Sequence, residues 1–526
     1  MADDIRSTQR APKSCTACYA RKIKCSKELP CRQCVRRGVP TECRREVVRV
    51  KGRIHTVDAS QSSPSYADLL QENLRLGALL AGHNSAPVTE STSRLPALAD
   101  KTEWYENRLF DMMEHCPGLR SVWGKEDILL PSKSCSDAIL AFAPQWTFWI
   151  HFAVSTPQFL QEHEDFWCLQ SAAESLDHAE PLWLAVYFSI LASTLLFMSD
   201  EVIDTIPAPP GKPDDLLRNW YTIVVLGMLF TNMGDISRQK IMWSVAIRVA
   251  QQLKLGNDSA HEDESFSDQQ VRRRLWWTII ICEWLPIPFH TPFVNDVDFD
   301  CQLPEDVDDE ELSLPSSHRL SRSKPRPVQY HIIMARLARI YYSFRYKLRI
   351  RAWSAEEITS IVLAADDELA NLVGELPLFL QSDQQFANTI DDGDSRQPWM
   401  LWQSQSLAMA FLYYRIAINR VLQQYWLKGS PNQARVRAIC LSSAQAIVRA
   451  IVTGKLDTSK FRSWAIATNV FSACVTLLLD NTSRESSYSN CRTEIDLGIA
   501  FLQRISHSPL ANHGGRILEE IQKNQI

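Results

Sequence analysis

The chain has 526 residues, of which 45% are hydrophobic, so it can bury a large core and is too long for one compact domain. Its formal net charge is −5, yet residues 1–55 contain 15 Lys and Arg against 5 Asp and Glu. This basic N-terminal segment predicts an anion-binding module, and the polar residues 1–14 disfavour a secretory signal and a disulfide framework.

Six of the 14 cysteines are concentrated near the N-terminus. Their spacing is Cys15-x₂-Cys18-x₆-Cys25-x₅-Cys31-x₂-Cys34-x₈-Cys43. Zinc is held by thiolates in tetrahedral sites, and six cysteines satisfy two such ions only if two sulfurs bridge them. The array therefore predicts a small binuclear zinc-cluster domain at 14–45 whose folding depends on its two zinc ions. Disulfides and two separate mononuclear sites are the alternatives.

Basic residues lie between the predicted zinc ligands. The segment from Tyr19 to Cys25 is expected to start a helix, whose end would fit the major groove of double-stranded DNA. Lysine and arginine side chains donate to the O6 and N7 acceptors of guanine, and the candidates here are Arg21, Lys22 and Lys24. Five further arginines are expected to reach phosphates; they are Arg32, Arg36, Arg37, Arg44 and Arg45.

The cysteine spacing, the basic run at 21–25 and Pro30 before Cys31 resemble the fungal Zn₂Cys₆ binuclear-cluster transcription factors. The resemblance implies that Cys15 and Cys31 bridge the ions, that Cys18 and Cys25 complete one site, and that Cys34 and Cys43 complete the other. It also implies that Lys22, helped by Arg21, contacts the guanines of CGG-type triplets, with Lys24 on the backbone.

By the same resemblance, the chain is expected to be a nuclear, sequence-specific regulator of RNA polymerase II transcription. Its targets would be a fungal metabolic or secondary-metabolite gene set, and its partners would include the transcriptional machinery. An alternative is a metabolite-gated regulator, in which the large domain binds a small effector.

A linker and a possible dimerisation helix are predicted after the cysteine array. Residues 46–65 are interpreted as a basic and then polar linker, 66–80 as a short coiled coil, and 81–100 as a disordered linker. The residues at alternating a and d positions are Tyr66, Leu69, Asn73, Leu76 and Leu80. Because Gly77 weakens this helix, a chain that does not dimerise here remains the alternative.

Residues 101–526 are predicted to form a large all-α domain. Apolar residues recur with helical spacing, without the strict alternation of strands. The predicted segments are 182–198, 216–230, 238–255, 269–285, 328–350, 355–374, 399–427, 433–453 and 461–479. The first is expected to be a buried helix, since 17 uncharged residues are marginal for a membrane span. Polar loops are expected at 303–326 and 381–397.

Residues 135–380 resemble the helical fungal transcription-factor regulatory domain. The resemblance lies in the run from Val271 to Trp277, followed by Asp296, Asp298 and Leu303-Pro304, and in Glu375-Leu376-Pro377. The three arginines Arg272–Arg274 are predicted to form structural ion pairs, with a second nucleic-acid patch as the alternative.

The remaining charged runs, the polar group around His163 and the scattered cysteines are mainly expected to be structural features of the fold. The acidic run 305–311 is expected to be a solvated loop or to recruit transcriptional machinery, and the basic run 319–326 a solvated loop or a nuclear-import signal. His163, Glu164, Asp165 and Cys168 are expected to decorate a helix. An enzyme is disfavoured because the common catalytic motifs are missing, and the eight scattered cysteines are expected to be buried thiols.

Overall fold

The computed structural model describes residues 13–27, 30–39, 43–44, 48–50, 53–55, 101–114, 128–152, 154–170, 176, 179–221, 227–286, 290–312, 325–381, 397–453, 458–482, 491–505 and 508–523. The chain divides into two compact units, Met1–Ser93 and Arg94–Ile526. The predicted coiled coil at 66–80, the predicted linker at 81–100 and Arg45 lie outside the described residues and stay predictions.

The first unit contains two short helices, α1 (Thr16–Ala20) and α2 (Arg32–Arg36). Its buried cluster consists of the six cysteines, with Ala17 and Val39 packed against them. Such a small apolar cluster cannot stabilise a fold by burial alone. The cysteine sulfurs therefore organise the described part of this unit.

Two short strands follow the cysteine array. The strands β1 (Val48–Val50) and β2 (Arg53–His55) are antiparallel, with Val48 opposite His55 and Val50 opposite Arg53. This segment was predicted to belong to the linker at 46–65, and no strands were predicted there. The signal was the alternation of Val and Ile with charged residues around Lys51-Gly52, since Gly is favoured in two-residue hairpin loops.

The second unit is all-helical over its described residues, which confirms the predicted fold class. Its α-helices, in chain order, are α3 (Lys101–Glu114), α4 (Lys133–Trp146), α5 (Phe148–His151), α6 (Thr156–Gln170), α7 (Pro181–Phe197), α8 (Asp200–Ile203), α9 (Pro213–Tyr221), α10 (Gly227–Asn232), α11 (Ile236–Gln252), α12 (Phe266–Trp284), α13 (Val328–Arg349), α14 (Ala355–Gly374), α15 (Pro398–Asn419), α16 (Gln423–Leu427), α17 (Ala434–Thr453), α18 (Trp464–Thr482), α19 (Arg492–Arg504) and α20 (Pro509–Lys523).

Local sequence sets the start of several of these helices. At α14 the Ser354 hydroxyl accepts a hydrogen bond from the Glu357 N–H at 3.2 Å, and the Glu357 carboxylate accepts one from the Ser354 N–H at 2.8 Å. This capping box satisfies two backbone donors that have no partner inside the helix. Ser265 caps α12 in a similar way, through the N–H of Asp268.

The helices of the second unit bury two large hydrophobic clusters. One surrounds α7, most of whose residues are buried, as expected for a core helix. The other includes α13, α15 and α18, and the side chains of Tyr330 and Phe379 pack against both clusters. Among the described helices, none has the length and apolar character needed to cross a membrane.

The arginines at the start of α12 form ion pairs inside the protein. Arg272 contacts Asp258 and Glu264, both at 2.9 Å, and Arg273 contacts Asp258 at 2.7 Å. Arg274 is paired with Asp309 and is almost fully buried. The prediction of structural ion pairs at Arg272–Arg274 is confirmed.

The acidic and basic runs after α12 are partly internal. Glu311 and Arg326 are both buried, and the Arg326 Nε donates to the Glu311 carboxylate at 3.1 Å. Asp309 is engaged by Arg274. Asp309, Glu311 and Arg326 are therefore not part of a solvated loop. They are also not available to recruit transcriptional machinery or to act as a nuclear-import signal. The sequence interpretations were wrong for them, and residues 313–324 lie outside the described part.

The cysteines outside the array are mostly buried thiols. Five are buried, namely Cys135, Cys301, Cys440, Cys474 and Cys491. Cys282 is half-buried and Cys168 is exposed, so the prediction was wrong for Cys168. Cys116 lies outside the described residues.

Candidate metal centre and nucleic-acid interface

The six cysteines of the array form two overlapping groups of four. One group is Cys15, Cys18, Cys25 and Cys31, and the other is Cys15, Cys31, Cys34 and Cys43; within each group all sulfurs lie within 4.8 Å of one another. The Sγ atoms of Cys15 and Cys31 are 3.8 Å apart, and those of Cys18 and Cys31 are 3.5 Å apart. A zinc–sulfur tetrahedron with bonds of about 2.3 Å has sulfurs about 3.8 Å apart. The donor set thus fits two zinc ions.

Backbone N–H groups point at the cysteine sulfurs. The Cys18 N–H donates to Cys15 Sγ at 3.3 Å, and the Cys34 N–H donates to Cys31 Sγ at 3.4 Å. Each C-x₂-C pair therefore caps its own helix with its first sulfur. The Cys31 N–H also donates to Cys43 Sγ at 3.1 Å. Such donors favour the thiolate form, which is the form that binds metal.

The thiols differ in how readily they lose a proton. Burial and the neighbouring sulfurs raise the pKa of Cys18 and Cys34 to about 12. At Cys31 burial also raises the pKa, but hydrogen bonds from Cys34 and neighbouring thiols outweigh it and lower the pKa to about 6. The pKa of Cys15 is also lowered. Negative charge is thus favoured at the two sulfurs that belong to both groups.

The two halves of the cysteine array have the same backbone arrangement. After α1 the Lys22 N–H donates to Tyr19 O at 3.0 Å, and the Ile23 N–H donates to Cys18 O at 3.1 Å. After α2 the corresponding bonds run from Gly38 to Val35 and from Val39 to Cys34, at 3.0 and 3.1 Å. This pair of bonds is the Schellman motif, which ends a helix with one left-handed residue.

The left-handed position is occupied by different residues in the two halves. It is Gly38 after α2, with φ 71°, but Lys22 after α1, with φ 54°. A residue with a Cβ pays about 1–2 kcal/mol in this region, whereas glycine does not. An alignment of Cys15–Ile23 with Cys31–Val39 places Lys22 opposite Gly38, a sequence signal for this turn that was not used in the prediction.

The basic run follows a helix and does not start one. The helix α1 ends at Ala20, so Arg21, Lys22 and Lys24 continue from its C-terminal end. The expectation that Tyr19 to Cys25 begins a helix is corrected, because the left-handed turn at Lys22 ends it. Cations are favourable at this end of a helix, where backbone carbonyls point outward.

The predicted DNA-contacting side chains that the structure describes are all exposed on the first unit. They are Arg21, Lys22, Lys24, Arg32, Arg36, Arg37 and Arg44. The Thr16 N–H and hydroxyl donate to Arg44 O at 2.8 and 3.0 Å, which ties the end of the array to its beginning. The surface around the cysteines is therefore cationic and fit to meet phosphates.

Comparison with known families gives two matches on this chain. Residues 13–51 match the fungal Zn(2)-Cys(6) binuclear cluster domain, and residues 217–371 match the fungal specific transcription factor domain. The first match covers the whole cysteine array. The chain carries both domains of the fungal zinc-cluster transcription factors.

The two domain matches indicate several coarse properties of this chain. The cluster domain implies two zinc ions and binding to DNA, and the transcription-factor family implies a nuclear protein. Both matched domains belong to transcription-factor families and not to enzyme families.

Two curated relatives are similar to part of this chain. The agnestins biosynthesis cluster transcription factor of Paecilomyces divaricatus is 21% identical over 324 residues, which cover 57% of this chain and 46% of the relative. Glucose starvation modulator protein 1 of Meyerozyma guilliermondii is 30% identical over 91 residues, 16% of this chain and 17% of the relative. The chain thus spans less than half the length of these relatives.

A solved structure is similar to this chain in fold. The K. lactis CBF3 core matches with a TM-score of 0.51 and 12% identity, covering 81% of this chain and 90% of the matched chain. At this identity the likeness concerns the fold alone.

The polar group around His163 in the second unit has a structural role. Asp137, His163 and Glu164 lie close together, but Lys133 Nζ contacts both carboxylates at 3.0 Å. The Trp167 indole N–H donates to His163 Nε2 at 2.9 Å. The ammonium of Lys133 thus lies where a metal ion would contact the two carboxylates. This agrees with the prediction that these residues are polar side chains on the surface of a helix and not a metal site.

Proposed function

We propose that this protein regulates RNA polymerase II transcription by binding CGG-type triplets through its zinc cluster, with Lys22 as the main base-contacting residue. The main support for the proposal is the left-handed backbone conformation of Lys22. The chain uses glycine at the equivalent position of the other half, so a lysine at this strained position indicates a need for its side chain.

The six cysteines are assigned as ligands of two zinc ions. Cys15 and Cys31 belong to both groups of four sulfurs, which supports their assignment as the bridging ligands. Cys18 with Cys25, and Cys34 with Cys43, complete the two sites. Bound zinc cross-links the halves and supplies folding free energy on the order of 10 kcal/mol per ion.

The cations divide between base and phosphate contacts. Lys22 and the adjacent Arg21 extend from the C-terminal end of α1, where they can donate to paired guanines in the major groove. Lys24 and the arginines Arg32, Arg36, Arg37, Arg44 and Arg45 are assigned to the DNA backbone. Phosphate contacts set affinity and register, whereas base contacts set the sequence.

The controlled genes are proposed to form a fungal metabolic or secondary-metabolite set. The support is the matched relative whose name describes a biosynthesis-cluster transcription factor. Dimerisation through Tyr66, Leu69, Asn73, Leu76 and Leu80 would set the spacing between two triplets, since dimer geometry fixes the separation of half-sites.

The effector-gated alternative can be compared with a cleft among the described residues of the second unit. A cleft of about 240 Å³ is lined by apolar residues such as Leu196 and Ile505 and by the charged residues Arg218 and Arg462. Small-molecule sites usually have volumes of roughly 300–1,000 Å³. The cleft therefore gives this alternative little support.

The test compares two lysines with the same backbone conformation. Lys27 also has a positive φ, 67°, so Lys22→Gly and Lys27→Gly relieve the same kind of strain. Binding of the full-length variants to a CGG duplex and to one with altered guanines is measured at about 0.15 M salt.

We expect Lys22→Gly to lose about 1–3 kcal/mol of discrimination between the two duplexes. Lys27→Gly should keep the discrimination and reduce binding to both duplexes equally, if at all. Neither variant should lose zinc. Equal discrimination by Lys22→Gly and wild type would refute the assignment of Lys22.

A further inference from the structure

One helix of the second unit presents a row of aliphatic side chains to solvent. Ile241, Val245 and Val249 on α11, and Leu253 directly after it, are 65%, 52%, 47% and 58% exposed. Residues four apart lie on one face of a helix, so these four form a continuous line, named here the aliphatic row.

The opposite face of α11 is anchored in the core. Ile236, Ile247 and Ala250 are buried, and the Trp243 indole N–H donates to the buried carboxylate of Glu283 at 3.2 Å. Rotating the helix to bury the aliphatic row would expose these core residues. The row is therefore a fixed surface feature of the folded unit.

The charged residues of α11 and of the turn that follows it have one sign. Residues 236–257 contain Arg238, Lys240, Arg248 and Lys254 and no Asp or Glu. The acids directly before and after this range in the sequence are both engaged, since Asp235 caps α11 and Asp258 is paired with two arginines. Outside its first 55 residues the chain is strongly acidic. A basic, apolar surface on an acidic body fits a partner that is apolar and acidic.

We propose that the aliphatic row is the docking site for an amphipathic helix of a partner protein, with carboxylates flanking its own line of apolar side chains. Rows of residues four apart interdigitate when two helices cross at about −50°. The row would receive the apolar line, and the neighbouring cations, such as Arg248 three residues after Val245, would meet the carboxylates. This inference goes beyond DNA recognition and does not depend on it.

Two other occupants fit the same surface less well. A second copy of the chain, paired through the same face, would bring two sets of like charges together and be repelled. The cations of each set are Arg238, Lys240, Arg248 and Lys254. A lipid surface would gain only the four aliphatic side chains, because the other face of α11 is held in the core.

The test uses full-length protein and a pair of designed peptides. Each fluorescein-labelled helical peptide has about 18 residues and leucines spaced four apart; one carries Glu beside the leucines and its twin carries Lys. Binding is followed by fluorescence anisotropy at low and at about 0.5 M salt. We expect the Glu peptide to bind at least about tenfold more tightly at low salt and to lose this advantage at high salt.

The variants Val245→Ser and Val249→Ser should each weaken binding of the Glu peptide about tenfold, the change expected from losing one buried aliphatic contact. Leu182→Ser is the control, because Leu182 is 73% exposed on α7 and lies outside the row. It should bind within about twofold of wild type. Unchanged melting of all three variants excludes a folding defect.

Three outcomes would overturn the proposal. The peptide twins bind equally, or the row variants bind the Glu peptide as wild type does. Alternatively, the row variants abolish self-association in sedimentation, or binding to phosphatidylserine vesicles, while the Glu peptide does not bind.

Discussion

The guanidinium of Arg420 donates to both carboxylate oxygens of Glu106, at 2.7 and 2.6 Å. The side chains are 1% and 0% exposed, so neither charge can turn to water. Arg420 also donates to the Ser472 hydroxyl at 3.0 Å, which ties α3 to α18 through one residue. Removing either charge would leave its partner buried and unpaired.

We predict that Arg420→Ala destabilises the second unit by about 3–5 kcal/mol. Arg435→Ala is the control, since its ion pair with Asp367 is long, 3.7 Å, and both side chains are about two-thirds exposed; it should leave the unfolding midpoint unchanged. Urea unfolding followed by tryptophan fluorescence measures this, because all 16 tryptophans lie in the second unit. Equal midpoints for the two variants would contradict the prediction.

The sequence predicted the roles of some single residues and not those of others. The zinc ligands follow from spacing and ligand count, because both are local. The partner of Arg420 is 314 residues away, and the partner of Arg326 is an acidic residue in a run that looked solvated. Sequence alone cannot show which distant charges meet in the fold.

At the scale of elements, Gly498 of α19 lies directly against α18. A Cβ at this position would overlap the sulfur of Cys474, which is fully buried on α18. Alanine normally stabilises a helix relative to glycine. Here the two helices can make this contact only because residue 498 has no side chain.

Gly498→Ala is therefore predicted to destabilise the second unit by about 1–3 kcal/mol, through overpacking. Gly374→Ala, at the end of α14 with open space around it, should stabilise by about 0.4–1 kcal/mol. Adding Cys474→Ala to Gly498→Ala should recover part of the loss. The same urea titration decides this, and a stabilised Gly498→Ala variant would be the contrary result.

Helical periodicity located most of the long helices, because buried faces repeat every three to four residues. It did not identify their neighbours. The aliphatic row on α11 has the spacing expected of a core face, yet the core contacts Ile236, Ile247 and Ala250 instead. The strands at 48–55 are three residues each, too short for a periodic signal to stand out.

At the scale of the whole molecule, the two units depend on different forces. The second buries two large apolar clusters, whereas the described core of the first is six cysteines with two small neighbours. Zinc must therefore supply most of the folding free energy of the first unit. Its basic charge contrasts with the acidic remainder, so DNA binding is expected to depend on metal in the first unit.

The most direct test is a chelator titration of the full-length protein, with zinc release and binding to a CGG duplex measured in the same samples. We predict two zinc ions per chain and a loss of specific binding in step with their release. We also predict that Cys15→Ala, which removes a sulfur that belongs to both groups of four, disrupts both sites. Specific binding that survives complete removal of zinc would contradict the central claim.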